Sequence, residues 1–275
     1  MRIVSLLPSA TEFLCELGLA DSLVGVSHSC DYPAGVRSLP QLTSTSIDKN
    51  ADGMEIHQQV QDGFAEGKPL YAVDSEQLQQ LRPDIVVTQG LCQVCAVTGN
   101  ELGAALRDAK LSAEVVSLEP HSLQDILQTW SLLGEATGRQ REARDKRETM
   151  EQRLDAVRNC AEGEPTIGFL EWLQPPFTPG HWNHDLIEWV GGIDPFGEAG
   201  EASRALSMEE IAVTALDHCI VACCGMDVEQ TRREIDKLNW SLLKEAVVVD
   251  GDQYFSRPGP RIADSAEILA AAIRN

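Results

Sequence analysis

The sequence predicts an α/β protein of two lobes, each a mainly parallel sheet flanked by helices, joined by one long helix and enclosing a ligand cleft between the lobes. Three observations carry this. Short apolar runs alternate with helical patterns as far as residue 121, and the alternation resumes at Thr166; that order builds parallel sheets covered by helices. Between the two blocks, Arg139 to Glu162 contains no Gly or Pro and is rich in Glu, Arg, Gln, Ala and Leu, strong helix formers. Polar and aromatic residues collect directly after the strands, where open parallel sheets bind their ligands. The expected organisation is an N-terminal lobe over 1–138, a connecting helix over 139–162 and a C-terminal lobe over 163–275.

Taken in order, Arg2 to Leu7 is a strand. Ser9-Ala-Thr-Glu12 then has the spacing of a capping box, and Gly18 closes the helix. Val24 to Ser27 is a second strand that runs into His28-Ser-Cys30-Asp31-Tyr32-Pro33. Ser38 to Asn50 reads as loop and Asp52 to Glu66 as helix. Leu70 to Val73 is a strand, Ser75 caps a short helix, and Asp84 to Thr88 is a buried strand leading to Cys92-Gln-Val-Cys95. Val115 to Leu118 is followed by a helix from Ser122 to about Leu133. Within the long helix Met150, Leu154, Val157 and Ala161 form one narrow apolar stripe, as suits a helix with a single face against protein.

In the second lobe Thr166 to Leu170 is a strand. The segment Glu171 to Trp182 follows as a proline-rich loop carrying two indoles, a carboxylate and an imidazole. Asn183 caps the next helix, Ser207-Met-Glu-Glu210 is a capping box, and His218 to Cys223 is a strand. Asp227 to Leu238 is a helix, Ala246 to Val249 and Gln253 to Phe255 are strands, and Ile262 to Ile273 is the closing helix.

Charge excludes some partners. With 43 acidic against 22 basic residues the net charge is -21, which repels phosphate backbones and anionic lipid. No apolar run is long enough for a membrane span, and no basic, then apolar, leader follows Met1. The expectation is a cytoplasmic protein if Met1 is the natural start, and a periplasmic one if a signal peptide has been removed. Eight cysteines in a reducing compartment are core residues, metal ligands or redox groups before they are disulfides.

The chemistry-bearing residues admit two uses. His28, Cys30, Cys92 and Cys95 form a Cys/His set suited to zinc or an iron-sulfur centre, equally readable as buried thiols and a loop imidazole. Trp172 and Trp182 can contact a ligand or brace the proline-rich loop. His181 can supply a nitrogen to a metal or be a hydrogen-bonded loop histidine. Glu171 can serve as a base, a metal ligand or a loop anchor, and Arg257 can pair with an anion or hold a turn. Ser9 stands at a helix start, where capping alone explains it. Cys223 and Cys224 end a strand, where alternation sends neighbours to opposite faces. His57, His121, His184 and His218 read as surface or core.

Several segments carry a resemblance over nearly the whole chain: RIVSLLPSATEFLCELG at the start, PDIVVTQ, LGEATG before the long helix and YFSRPGPRIAD near the end. Together they resemble the helical-backbone metal receptor superfamily, the class III periplasmic binding protein fold. The segments HxCDYP, CxVCAV, EWxxPPFxxGHW and RPGPR are similar to its cobalamin-binding branch. The resemblance implies a binding protein for cobalamin or a related metal-chelate macrocycle, with Ser9, Tyr32, Glu171, Trp172, His181, Trp182 and Arg257 toward the ligand and an ABC transporter as partner if the protein is exported. The alternative is a cytosolic metalloenzyme or iron-sulfur protein using Cys30, Cys92, Cys95 and His28 or His181. It lacks a recognised nucleophile and base pair.

Overall fold

Asp84 to Thr88, read from the sequence as a buried strand, becomes a central strand in the computed structural model. The structure describes residues 1–90 and 99–274. By their contacts these residues divide into two compact units, one of Met1–Ala51, Glu55–Glu119 and Gln128–Arg147, the other of Asp52–Met54, Pro120–Leu127 and Glu148–Asn275.

The first unit holds β1 (Ile3–Ser5), α1 (Pro8–Glu16), β2 (Leu23–Val26), β3 (Thr43–Thr45), most of α2 (Gly53–Ala65), β4 (Tyr71–Val73), α3 (Ser75–Leu81), β5 (Ile85–Gln89), α4 (Gly99–Asp108) and β6 (Glu114–Leu118). Four strands form a parallel sheet in the order β2-β1-β5-β6. Every residue of β5 is buried, as a central parallel strand covered on both faces requires. One core beside it joins Val4, Leu6, Leu42, Leu78, Val86, Leu102 and Ala105. Burying such side chains contributes about 1.5–3 kcal/mol each for the larger ones.

Three expectations are corrected here. Ser38 to Asn50 is not all loop: β-branched Thr43 and Thr45 form a strand antiparallel to β4, with Thr43 opposite Val73. The capping box at Ser9 is absent. Helix α1 starts two residues earlier, with Leu7 at the cap position and Pro8 at its first residue, where a missing N–H costs nothing. In α3 the capping residue is Asp74, whose carboxylate accepts the Gln77 N–H at 2.9 Å.

Helices α5 (Leu123–Thr137) and α6 (Gln140–Ala156) follow, turned by Gly138 at φ +71°. Where they approach, a Cβ on Gly134 would come 2.6 Å from that of Ala143, so only glycine fits. Helix α6 stops at Ala156, short of the predicted Glu162, with Asn159 and Gly163 at positive φ beyond it. Ala143, Met150 and Leu154 are buried, and Arg153 pairs with Asp264 and Glu267 of the closing helix.

The second unit holds β7 (Ile167–Leu170), β8 (Trp172–Leu173), β9 (Pro176–Phe177), α7 (Trp182–Trp189), α8 (Met208–Val213), β10 (His218–Val221), α9 (Val228–Asp236), β11 (Val247–Val248) and α10 (Ile262–Ala272). Its main sheet is parallel, in the order β11-β10-β7. The capping box at Ser207 and Glu210 is present. The proline-rich segment is more regular than a loop, because β8 and β9 pair across the cis Gln174–Pro175 bond. Gln253 to Phe255 is not a strand but part of a π-helical turn, Gly251–Phe255. Asp250 caps it by accepting the Gln253 N–H at 2.8 Å, and Gly251 lies so close to the Cys223 carbonyl that no side chain fits. Among the described residues no helix is long and apolar enough to cross a membrane.

Candidate functional site

In the second unit the carboxyl ends of β7, β10 and β11 are stitched together by backbone and carboxylate. Glu171, the first residue beyond β7, accepts the Cys224 N–H on its carbonyl at 2.9 Å. Its Oε1 accepts the Gly180 N–H at 2.9 Å and the Asn183 Nδ2 amide at 2.6 Å. The same Asn183 amide donates to the Phe255 carbonyl at 3.0 Å. One carboxylate thus ties the strand end to the proline-rich segment and, through Asn183, to α7 and the π-helical turn. Of the uses open to Glu171 in the sequence, loop anchor is the one these bonds perform. Asn183 does not cap α7, because the helix begins at Trp182 with His181 before it.

His181 is held in an unusual way. Its backbone has φ 52° and ψ −124°, a region in which a residue with a side chain stores strain of order 1–3 kcal/mol. The Glu201 carbonyl accepts its N–H at 2.7 Å. The imidazole stacks on Trp182, with ring centroids 5.9 Å apart and planes 22° apart, and meets the His121 ring edge-on at 5.3 Å and 76°. Burial lowers its pKa, and His121 lowers it further, against the opposing effects of a Gly200 backbone hydrogen bond and Glu201. Its Nδ1 is buried without a hydrogen-bond partner, as are Trp172 Nε1, Trp182 Nε1 and Asn183 Oδ1. Orphan polar atoms are uncommon in native interiors, and four lie on this one segment.

The two indoles differ. Trp182 is 7% exposed within α7. Trp172 is half-buried and lines a shallow depression with Gly53, Leu173, Met226 and Glu234. Arg257 is also 7% exposed, and its Nη2 donates to Asp252 Oδ2 at 2.7 Å, so this contact braces the π-helical turn. Cys223 is buried and Cys224 exposed, as strand alternation predicts. Burial pushes the Cys219 and Cys223 thiols up to about 12, which keeps them protonated.

At the carboxyl edge of the first sheet, Cys30 is 2% exposed with its Sγ 3.1 Å from Thr11 Oγ1, and that hydroxyl donates to Ser5 Oγ at 2.8 Å. His28 Nδ1 lies 2.6 Å from Thr43 Oγ1, and its Nε2 is buried without a partner. Burial, helped by Lys49, lowers the His28 pKa to about 4. Ser9 is 2% exposed, whereas Tyr32 is 49% exposed. Cys92 and Cys95 lie outside the described residues. Among the described residues no three His, Cys, Asp or Glu side chains are grouped to hold a metal ion.

Sequence reasoning passed over two contributors. His121 read as surface or core, but the fold sets its ring against His181. Thr43 read as loop, and only its pairing in β3 brings its hydroxyl to His28. Neither has a local signal, since both contacts are long-range.

Two parallel α/β units with aromatic and imidazole-bearing segments at the carboxyl ends of their strands define a solute-binding protein. The chain belongs to the periplasmic binding protein family, whose sequence model matches residues 3–239. The vitamin B12-binding protein of Yersinia pestis (strain Pestoides F) is 24% identical over 276 residues, a span covering 98% of this chain and 84% of that protein. Among solved structures, a possible iron-binding (periplasmic solute-binding) protein from Staphylococcus epidermidis superposes with a TM-score of 0.72 at 24% identity, covering 100% of this chain and 98% of that one. The periplasmic vitamin B12 binding protein of Vibrio cholerae gives 0.68 at 20% identity, covering 99% and 96%. A periplasmic heme-binding protein from Roseiflexus gives 0.70 at 20% identity, covering 99% and 97%. These structures share the fold.

Proposed function

We propose that this chain binds cobalamin or a closely related metal-chelate macrocycle and delivers it to an ABC transporter. The observation that carries the reading is the similarity to vitamin B12-binding proteins along 98% of the chain. The neighbour from Listeria monocytogenes described as an ABC transporter substrate-binding protein, with a TM-score of 0.73, supports the fold's suitability for that task. In this reading Trp172, half-buried in the second unit, covers the macrocycle, and His181 stands near its metal. Trp182 supports His181 by stacking, Glu171 holds the segment that carries them, and Arg257 braces the π-helical turn through Asp252. A flat corrin or porphyrin suits such a surface, since stacking uses both faces of a planar ligand and needs few polar contacts.

Competition between two macrocycles tests the ligand class. Reduced protein is incubated with cyanocobalamin and haemin in equal amounts, separated from unbound pigment by ultrafiltration, and its retained spectrum recorded. Retention of the cobalamin spectrum is expected. Retention of haemin alone, or of neither, would replace the reading.

A further inference from the structure

We infer that Glu234 is a positioning residue for Trp172: through the Gly53 N–H it holds the backbone against the indole, and so sets how strongly the macrocycle is bound without touching it. The consequence for affinity rests on the cobalamin reading; the consequence for the indole does not. All three residues belong to the second unit.

Glu234 lies on α9, is 7% exposed and has both carboxylate oxygens engaged. Its Oε2 accepts the Gly53 N–H at 3.0 Å, and its Oε1 accepts the Lys237 ammonium at 2.6 Å. A carboxylate so deeply buried is tolerated only with such partners. Gly53 is the first residue of α2, where the N–H finds no carbonyl within its own helix. The acceptor it needs comes from 181 residues further along the chain.

Gly53 is the spacer between carboxylate and indole. A Cβ built on it would lie 3.1 Å from Glu234 Oε2 and 3.7 Å from Trp172 Cζ2, and the three residues line one shallow depression. Backbone pairing with Phe177 places the Trp172 main chain, but its Nε1 is buried without a hydrogen-bond partner among the described residues. The direction of the ring is therefore set by packing, and Gly53 is one of the walls. Withdrawing the Glu234 acceptor frees that wall while leaving β8 and β9 paired.

The full chain labelled with 5-fluorotryptophan and followed by ¹⁹F NMR provides the first test, the Trp172 resonance being identified by its loss in Trp172→Phe. In Glu234→Ala that resonance is expected to shift or broaden. Glu234→Asp, which keeps the charge but draws the acceptor back by one methylene, is expected to displace it too and guards against a loss of fold. Glu234→Gln, which retains an oxygen for the Gly53 N–H, restores it, and Arg233→Ala on the exposed side of α9 leaves it in place. Calorimetric titration with cyanocobalamin is the second test. Glu234→Ala is expected to weaken binding by about fivefold or more, Glu234→Gln by no more than about twofold, and Glu234→Ala adds no further loss in a Trp172→Ala background, because it acts through the indole. An unmoved Trp172 resonance in both Glu234→Ala and Glu234→Asp overturns the proposal whether or not cobalamin binds. A moved resonance with unchanged affinity, or with an equal loss of affinity in the Trp172→Ala background, overturns the role in binding. No uptake of cobalamin by the parent protein defeats the chelate reading instead, and the fluorine spectra then decide whether Glu234 positions the indole.

Discussion

Asn183 Nδ2 lies 2.6 Å from Glu171 Oε1 and 3.0 Å from the Phe255 carbonyl, so a single amide joins two of the three chain segments that leave the second sheet. A charge-assisted bond of that length is among the stronger hydrogen bonds in proteins. The segment bearing Trp172 and His181 is therefore fixed from below by groups that need never touch the solute.

Removing that anchor has a cost that two substitutions separate. Glu171→Ala leaves the Gly180 N–H and half of the Asn183 amide without acceptors and lowers stability by about 2–3 kcal/mol. Glu171→Gln retains one acceptor oxygen and loses about half as much. Urea unfolding of the two variants checks the ranking; equal midpoints for Glu171→Ala and the parent would contradict it.

Gly251 is required by space rather than by backbone angle. A methyl group there would overlap the Cys223 carbonyl and approach the Ala222 carbonyl carbon at 2.7 Å. Gly251→Ala therefore shifts β10 or the π-helical turn and destabilises by about 2–4 kcal/mol. Thermal unfolding reads the loss, and a midpoint unchanged within a degree would show that the turn yields without strain.

Acid sensitivity follows from His28. Its pKa in the folded chain, lowered to about 4 by burial and then by Lys49, lies below the ordinary value of about 6.5. Between those values the unfolded chain holds more protons, so the stabilisation is complete above about pH 6.5 and is lost as pH falls toward 4. With the ring only half-buried, the loss amounts to about 1–2 kcal/mol. His28→Gln is expected to flatten this part of the stability profile, measured by denaturant unfolding at pH 7, 5.5 and 4.5. A parallel profile in both proteins would remove His28 as the cause.

The two indoles are expected to part company in a binding experiment. Trp172→Ala removes exposed aromatic surface and weakens cobalamin binding by tenfold or more at nearly unchanged stability. Trp182→Ala removes a buried side chain from α7 and lowers stability by about 3–5 kcal/mol, with affinity falling only as the fold loosens. Calorimetry and thermal unfolding on the same samples distinguish these patterns, and the reverse assignment would exchange their roles.

Much of this was legible in the chain. The strands Arg2 to Leu7 and Asp84 to Thr88, and the capping box at Ser207, are local signals set by apolar runs and by a carboxylate three residues from a hydroxyl. The family resemblance was legible too, because it rests on residue identities along the chain and needs no knowledge of distant contacts. What escaped depended on distant partners. Gln253 to Phe255 has strand composition, but Asp250 and the closeness of Cys223 wind it into a turn. Ser9 has the right spacing for a capping box, but Pro8 takes the first helical position. His121 carries no local signal and matters because residue 181 folds against it.

The most direct test of the central claim is a calorimetric titration of reduced, metal-analysed protein with cyanocobalamin, whose cobalt already carries a tight upper ligand and so reports recognition of the macrocycle. Saturable binding at one per chain, with Kd about 1 μM or tighter, equivalent to about -8 kcal/mol or stronger, is the predicted result. No heat at concentrations a hundredfold above that would contradict cobalamin as the solute.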